Sequence, residues 1–380
     1  MLLQGTTRLL RANRVLFSTV AETKVKYEEF RTSETNPTNH TQAHIGKFYE
    51  IDPVVKQKLF KFGGITKSYE KQIKSFNESC LMIRNPALEI INYIKNTDFS
   101  KPVNRYVLYG DHGTGKSMTM LHLLHYGHQN DFLLVHVPWI PYWYKRPKAY
   151  GASATQEGFI DLPINACAWL AHFKNQNVDL LTKLNLCTSQ DYVWSKRETT
   201  PKGSSLIELI DHGTSRAKYA SDVIKVLLDE IKQQSTEGKV KTLVAVDGYN
   251  VLFYEKTNLK AKFKVPIPSD KITLTQPFLD IVKHDWCNGL CVLSVDKLAM
   301  KGWNRESHFP LYLLGRVGFE HLDPFVPIKH DNYDAKEYES CIQYYIDRKW
   351  IQNIGQGFDR ELEFLSNKNP YKLMDLCKAL

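Results

Sequence analysis

The sequence predicts an α/β fold: a parallel sheet with helices on both faces, an extended N-terminal arm and a C-terminal helical subdomain. Three observations lead there. Apolar runs of four to six residues alternate with stretches whose apolar residues recur at helical spacing. Strands buried on both faces need such near-continuous runs. A glycine-rich turn joins the first run to a helical stretch. Beyond residue 330 the runs stop and helical spacing continues alone.

The first 21 residues carry Arg8, Arg11 and Arg14 among Leu2, Leu3, Leu9, Leu10, Val15 and Leu16. Hydroxyl residues are interspersed and no acid precedes Glu22. A basic, amphipathic, acid-free stretch reads as a mitochondrial transit peptide over residues 1–21, with a basic disordered terminus as the alternative. Residues 22–85 read as an N-terminal extension, polar and irregular around 32–40. Residues 86–330 read as the nucleotide-binding domain. Its first helix starts at Pro86, with Leu88, Ile91 and Ile94 on one stripe. A strand over 106–109 follows, then a helix over 118–126 with Gly127 as its stop, and a strand over 132–137. Ala220, Val223, Ile224, Leu227, Leu228 and Ile231 form a helical stripe. A strand over 242–246 ends in Asp247. A helix around 277–286, a strand over 290–295 and a short strand over 325–329 complete this part. Residues 331–380 form the helical subdomain. Asp334 and Glu337 have capping-box spacing ahead of Tyr338, Ile342, Tyr345 and Ile346. Further helices are expected near 360–365 and 371–378.

The turn, Gly110-Asp111-His112-Gly113-Thr114-Gly115-Lys116-Ser117, fits G-x-x-x-x-G-K-[ST], the phosphate-binding P-loop. Its glycines let backbone N–H groups turn toward phosphate oxygens, and the helix start adds its positive dipole end. These eight residues and Met118 are the candidate nucleotide-binding set. Lys116 would reach the β- and γ-phosphates, and the Ser117 hydroxyl would ligate Mg²⁺. Asp247, at a strand end, is the acid that would complete the Mg²⁺ shell. No catalytic base is identifiable. Gly248 stands after Asp247, where many ATP-hydrolysing proteins carry a water-activating Glu. Asp296 and Glu255 are candidate substitutes, Ser294 a candidate γ-phosphate sensor and Arg316 a candidate lid arginine. Hydrolysis is expected to be slow or absent. No N-K-x-D segment marks a guanine site, so the residues alone leave ATP and GTP open.

The chain has 380 residues, 43% of them hydrophobic, and a formal charge of +9. That sign favours polyanionic partners such as RNA, and equally suits a basic mitochondrial matrix protein. Seven cysteines, an odd number with no C-x-x-C, argue against a disulfide framework. Cys287, Cys291 and His284 lack the second ligand pair that zinc would need. No apolar run is long enough for a membrane span. Two loops could meet RNA. Trp139, Tyr142, Trp143 and Tyr144 interleave with Lys145, Arg146 and Lys148, as stacking surfaces or as packing. Lys256, Lys260, Lys262 and Lys264 form a basic run that reads equally as a solvated face.

Several segments carry a resemblance over roughly residues 80–380. They are Arg105-Tyr106-Val107-Leu108-Tyr109-Gly110 running into the P-loop, Val244-Ala245-Val246-Asp247-Gly248-Tyr249-Asn250, Leu322-Asp323-Pro324-Phe325, Glu339-Ser340-Cys341-Ile342-Gln343-Tyr344-Tyr345 and Phe364-Leu365-Ser366-Asn367. In these the chain resembles the death-associated protein 3 family of mitochondrial small-subunit ribosomal GTP-binding proteins. The resemblance implies an AAA-like P-loop NTPase domain that binds GTP or GDP with Mg²⁺. It also implies a place in the mitochondrial small ribosomal subunit in the matrix, contacts with its ribosomal RNA and neighbouring proteins, and an association with apoptosis. It assigns the nucleotide-site roles to Gly110, Gly113, Gly115, Lys116, Ser117 and Asp247. A free mitochondrial P-loop NTPase, a remodelling ATPase or a signalling switch, is the rival reading.

Overall fold

The computed structural model describes residues 29–261, 264–299 and 307–378. The transit-peptide reading at 1–21 and Lys262 lie outside them. In chain order, β1 (Phe48–Glu50) pairs antiparallel with β2 (Cys80–Met82), and α1 (Pro53–Phe60) and α2 (Lys67–Phe76) connect them. Next come α3 (Asn85–Asn96), β3 (Asn104–Gly110), α4 (Lys116–Gln129) and β4 (Phe132–Val137). The short α5 (Pro141–Lys145) and a hairpin of β5 (Gly151–Ala152) and β6 (Ile160–Asp161) precede α6 (Pro163–Leu184). A second hairpin, β7 (Tyr192–Ser195) with β8 (Glu198–Thr200), precedes α7 (Leu206–Ser215) and α8 (Ala220–Thr236). Then follow β9 (Lys241–Val246), α9 (Thr275–Asp280), β10 (Gly289–Ser294), α10 (Pro310–Leu322) and β11 (Val326–His330). The chain continues in α11 (Ala335–Asp347), α12 (Phe358–Ser366) and α13 (Pro370–Cys377).

Five strands form one parallel sheet in the order β11-β3-β10-β9-β4. Successive side chains of a strand point to opposite faces, and the two faces carry separate cores. Val107, Leu133, Val135, Val244 and Leu293 face Trp169, Phe173, Leu209 and Leu227 from α6 to α8. Tyr106, Leu108, Leu134, Ala245 and Val292 face Ile91, Leu121 and Leu124 from α3 and α4. The expected sheet, covered by helices on both sides, is the one found.

Three local expectations need correction. Gly127 is not a helix stop; α4 continues to Gln129. A Cβ on Gly127 would fall 2.8 Å from Leu243 and 2.9 Å from Leu134, so the glycine serves close approach of helix to sheet. The helix expected over 277–286 is the shorter α9, followed by turns in which the Trp286 indole N–H donates to Ile281 O at 2.9 Å. Residues from 30 onward are packed rather than an irregular arm. Around 36–40 the polarity is absorbed by one local and one long-range contact: Asn36 Oδ1 accepts from the Thr38 N–H at 2.9 Å, and His40 is buried against His122 of α4 at 2.9 Å. Tyr49, Leu59 and Phe60 extend the α3–α4 core.

The C-terminal helices begin as expected. Asp334 accepts from the Glu337 N–H at 2.7 Å, and Glu337 accepts from the Asp334 N–H at 3.2 Å. Tyr338, Ile342, Tyr344 and Tyr345 then pack against Phe48, Phe76 and Met82. Residues 48–82 and the last three helices thus share one core.

Candidate nucleotide-binding site

β3 lies between β10 and β11, and its C-terminal end opens into the P-loop. Gly110, Gly113 and Gly115 have φ of 146°, 84° and 101°, in the region that L side chains avoid. α4 starts at Lys116. The N–H groups of Gly113 to Ser117 have no protein acceptor among the described residues, so the loop presents a row of donors at a helix N-terminus.

Lys116 is buried. Its ammonium donates to Gly110 O at 3.0 Å and Asp111 O at 2.8 Å, and pairs with Asp296 Oδ2 at 2.9 Å. Ser117 Oγ donates to Asp247 Oδ2 at 2.7 Å. Parallel register places Asp247 beside this turn: Val246 pairs with Leu293, and Leu293 with Val107. Ser294 Oγ donates to Asp247 Oδ1 and accepts the Gly248 N–H at 2.8 Å. Burial pushes the Asp247 carboxyl up, against the hydrogen bonds from Ser294 and Ser117. For Asp296 burial acts in the same direction but loses. The His112 hydrogen bond, the Lys116 ammonium and the Leu298 N–H hold it well below the usual carboxylate range.

Ser117 and Asp247 bring a hydroxyl and a carboxylate to one point, the hard oxygen chemistry that Mg²⁺ takes. The set fits such an ion. Gly248 fits no glutamate. Its φ is 78°, and a Cβ there would fall 2.7 Å from the Pro141 ring. Pro141 and Trp139 close the position where a water-activating carboxylate would stand.

The other candidates separate. Asp111 pairs with Lys297 at 2.9 Å and His308 at 3.4 Å. His112 is partly exposed, 3.7 Å from Asp296. Thr114 is buried, and its hydroxyl donates to Asp111 O at 3.0 Å. The Met118 side chain packs against the core beneath α4. Glu255 is exposed, and Arg316 is exposed and paired with Glu320 at 2.7 Å, so neither is placed as a base or lid arginine. In the aromatic loop, Trp143 and Tyr144 are buried, with Tyr144 Oη 2.8 Å from Thr275 Oγ1; packing is their role. Tyr142, Lys256 and Lys260 remain exposed. No described helix is long and apolar enough to cross a membrane. The described cysteines are all free, and no three-residue metal cluster of His, Cys, Asp or Glu occurs among the described residues.

Sequence reasoning missed five residues here. Asn250 bridges two strand ends: its Nδ2 donates to Asp296 O and its Oδ1 accepts the Asp296 N–H, both at 3.1 Å. It stands in the Asp-Gly-x-Asn segment, a signal that was available. Arg84, Asn369, Tyr371 and His330 approach the loop from distant parts of the chain. Arg84 donates to Thr114 O at 2.6 Å, Asn369 to His112 O at 3.0 Å, and the Tyr371 N–H to Gly113 O at 3.1 Å. The His330 backbone lies against Gly110.

A glycine loop between a central parallel strand and a helix, with lysine and serine at the helix start and an acid on a neighbouring strand, defines a protein with a P-loop NTPase-like fold. The family model described as "Mitochondrial ribosomal death-associated protein 3" matches residues 81–376. Small ribosomal subunit protein mS29 of Bos taurus is 40% identical over 353 residues, covering 92% of this chain and 88% of that protein. The Mus musculus protein of the same name is 39% identical over 353 residues, covering 92% and 89%. This chain belongs to the mitochondrial ribosomal death-associated protein 3 family, and is a mitochondrial ribosomal protein in that sense. A more distant similarity is to the Aeropyrum pernix ORC2 protein, solved in ADPNP-ADP complexes. It is 13% identical, with a TM-score of 0.34, over 77% of this chain and 59% of that one.

Proposed function

We propose that this protein is a structural component of the mitochondrial small ribosomal subunit that holds GTP or GDP with Mg²⁺ and hydrolyses it slowly or not at all. The observation that carries this is the pairing of a complete phosphate cradle with a closed base position. Lys116, Ser117 and Asp247 converge below free loop N–H groups, while Gly248 is walled by Pro141 and Trp139. Ser117 would ligate the ion and Asp247 would hold its water shell; bound Mg²⁺ would offset phosphate charge. Lys116 would exchange Asp296 and the loop carbonyls for phosphate oxygens. The choice of guanine rests on what the sequence resemblance implies, not on a residue of the site.

A nucleotide that stays bound adds stability without turnover. At about 100 times its dissociation constant it contributes about 2.7 kcal/mol, a large share of a typical margin of about 5–15 kcal/mol. The partners would be small-subunit ribosomal RNA and neighbouring ribosomal proteins, in the mitochondrial matrix. The exposed Lys256 and Lys260 suit a polyanion.

The test is to sediment mitochondrial lysate with wild-type protein or Lys116→Ala and identify the retained nucleotide by mass spectrometry. Wild-type protein should travel with the small subunit carrying a guanine nucleotide, and the variant should lose both. Normal assembly of a nucleotide-free variant contradicts the structural role. Phosphate release at tens per second contradicts slow turnover and favours a free NTPase.

A further inference from the structure

Three successive P-loop carbonyls point away from the phosphate side, and each is taken by a group from outside the loop. His112 O accepts from Asn369 Nδ2, Gly113 O from the Tyr371 N–H, and Thr114 O from Arg84 Nη1. A peptide unit is planar and trans, so its C=O and N–H point in opposite directions. Fixing these three oxygens therefore aims the N–H groups of Gly113, Thr114 and Gly115, three of the donors a phosphate would meet.

All three anchors belong to the C-terminal helices or are held by them. Asn369 is the N-cap of α13: its Oδ1 accepts the Lys372 N–H at 3.1 Å while its Nδ2 serves His112 O and Asn332 Oδ1. Tyr371 is in α13 itself. Arg84 is clamped bidentately by Glu337 of α11, at 2.9 and 2.8 Å, and also donates to Asp331 O at 3.2 Å. Both side chains of this ion pair are over nine-tenths buried.

We infer that Arg84, Glu337 and Asn369 are positioning residues of the nucleotide site, through which nucleotide binding and docking of α11–α13 are coupled. The inference rests on the nucleotide-binding reading above and adds the device that aims the loop. A preset loop avoids the ordering cost on binding. Coupling between two events is reciprocal, so bound nucleotide should tighten α11–α13 as those helices tighten it.

Two variants of the full chain test this. Arg84→Met/Glu337→Leu removes both charges together, because a single change would strand a buried charge. Asn369→Ser keeps an N-cap side chain too short to reach His112 O. Dissociation constants for GTP and for GDP with Mg²⁺ are read by calorimetry, nucleotide-free stability by urea unfolding, and protection of residues 335–378 by hydrogen exchange. Each variant should still unfold cooperatively without nucleotide, the double variant at a lower midpoint because it also loses the Glu337–Asp334 cap, and each should bind GTP with Mg²⁺ at least tenfold more weakly. In wild-type protein, adding GTP and Mg²⁺ should slow exchange in α11–α13, and in the variants much less. Wild-type affinity in folded variants, or exchange in α11–α13 that ignores nucleotide in wild-type protein, overturns the coupling. A wild-type protein that binds neither nucleotide overturns the nucleotide-binding reading as well.

Discussion

Lys116 Nζ and Asp296 Oδ2 stand 2.9 Å apart with both side chains almost inaccessible. The ammonium that would meet phosphate already has a carboxylate and two carbonyls around it. Incoming phosphate must replace these partners and also tolerate the Asp296 charge. Asp296→Asn keeps the shape and removes that charge. It should tighten binding of GTP with Mg²⁺ by about fivefold, roughly 1 kcal/mol. Calorimetry checks this, and weaker binding would mean that Asp296 orients Lys116 more than it competes for it.

At Gly248 the backbone is left-handed and Pro141 sits where a Cβ would go. Gly248→Ala should cost about 2–4 kcal/mol, from backbone strain and overpacking together. Gly248→Glu should cost at least as much and bring no hydrolysis, since no space holds its carboxylate beside Asp247. Urea unfolding and a phosphate-release assay read the two outcomes.

His136 and His172 are a buried pair, 3.0 Å between ring nitrogens. Burial pushes His172 down to about 4 and holds His136 well below the usual imidazole value, with the His172 charge adding to the effect on His136. Groups whose folded values are depressed bind fewer protons folded than unfolded, so stability rises with pH in that window. Going from pH 6.5 toward 4 should therefore destabilise the protein, with His172 alone contributing up to about 3 kcal/mol. Urea unfolding at pH 7.5, 6 and 5 checks the sign. A midpoint that holds constant or rises on acidification would rule these histidines out as the buried neutral groups.

Tyr344 stacks on Phe48 at 4.2 Å between ring centroids and meets Phe76 edge-on at 5.3 Å. A chain ending at residue 330 would expose Phe48, Phe76 and Met82. It should bind the dye ANS and aggregate instead of yielding a stable nucleotide-binding domain. A soluble, cooperatively unfolding truncation would show that the shared core is dispensable.

The sheet was legible because β4, β9 and β10 are buried on both faces and must be almost wholly apolar, as 132–137 and 242–246 are but for His136 and Thr242. The glycine loop and its neighbouring acid were legible because spacing alone fixes Gly110 to Ser117, and a strand end puts Asp247 beside Ser117. Gly127 misled because a glycine that ends a helix and one that lets a helix touch a sheet look alike in sequence. Trp143 and Tyr144 look like stacking residues until their burial is known. Arg84 and Asn369 act on the loop from 30 and 257 residues away, and no local pattern encodes such a contact.

The sheet order also dictates when the site can exist. β3 has two neighbours, β10 and β11, and its first pairing, Asn104 with Leu290, joins residues far apart in the chain. A segment delivered N-terminus first therefore carries Tyr106, Val107 and Leu108 unpaired until about three-quarters of the polypeptide has been made. Such late, long-range pairing is slow and leaves apolar surface open to aggregation. The glycine loop that β3 feeds is thus among the last parts to take shape, and any ligand it holds can be captured only after β10 and β11 have closed around that strand.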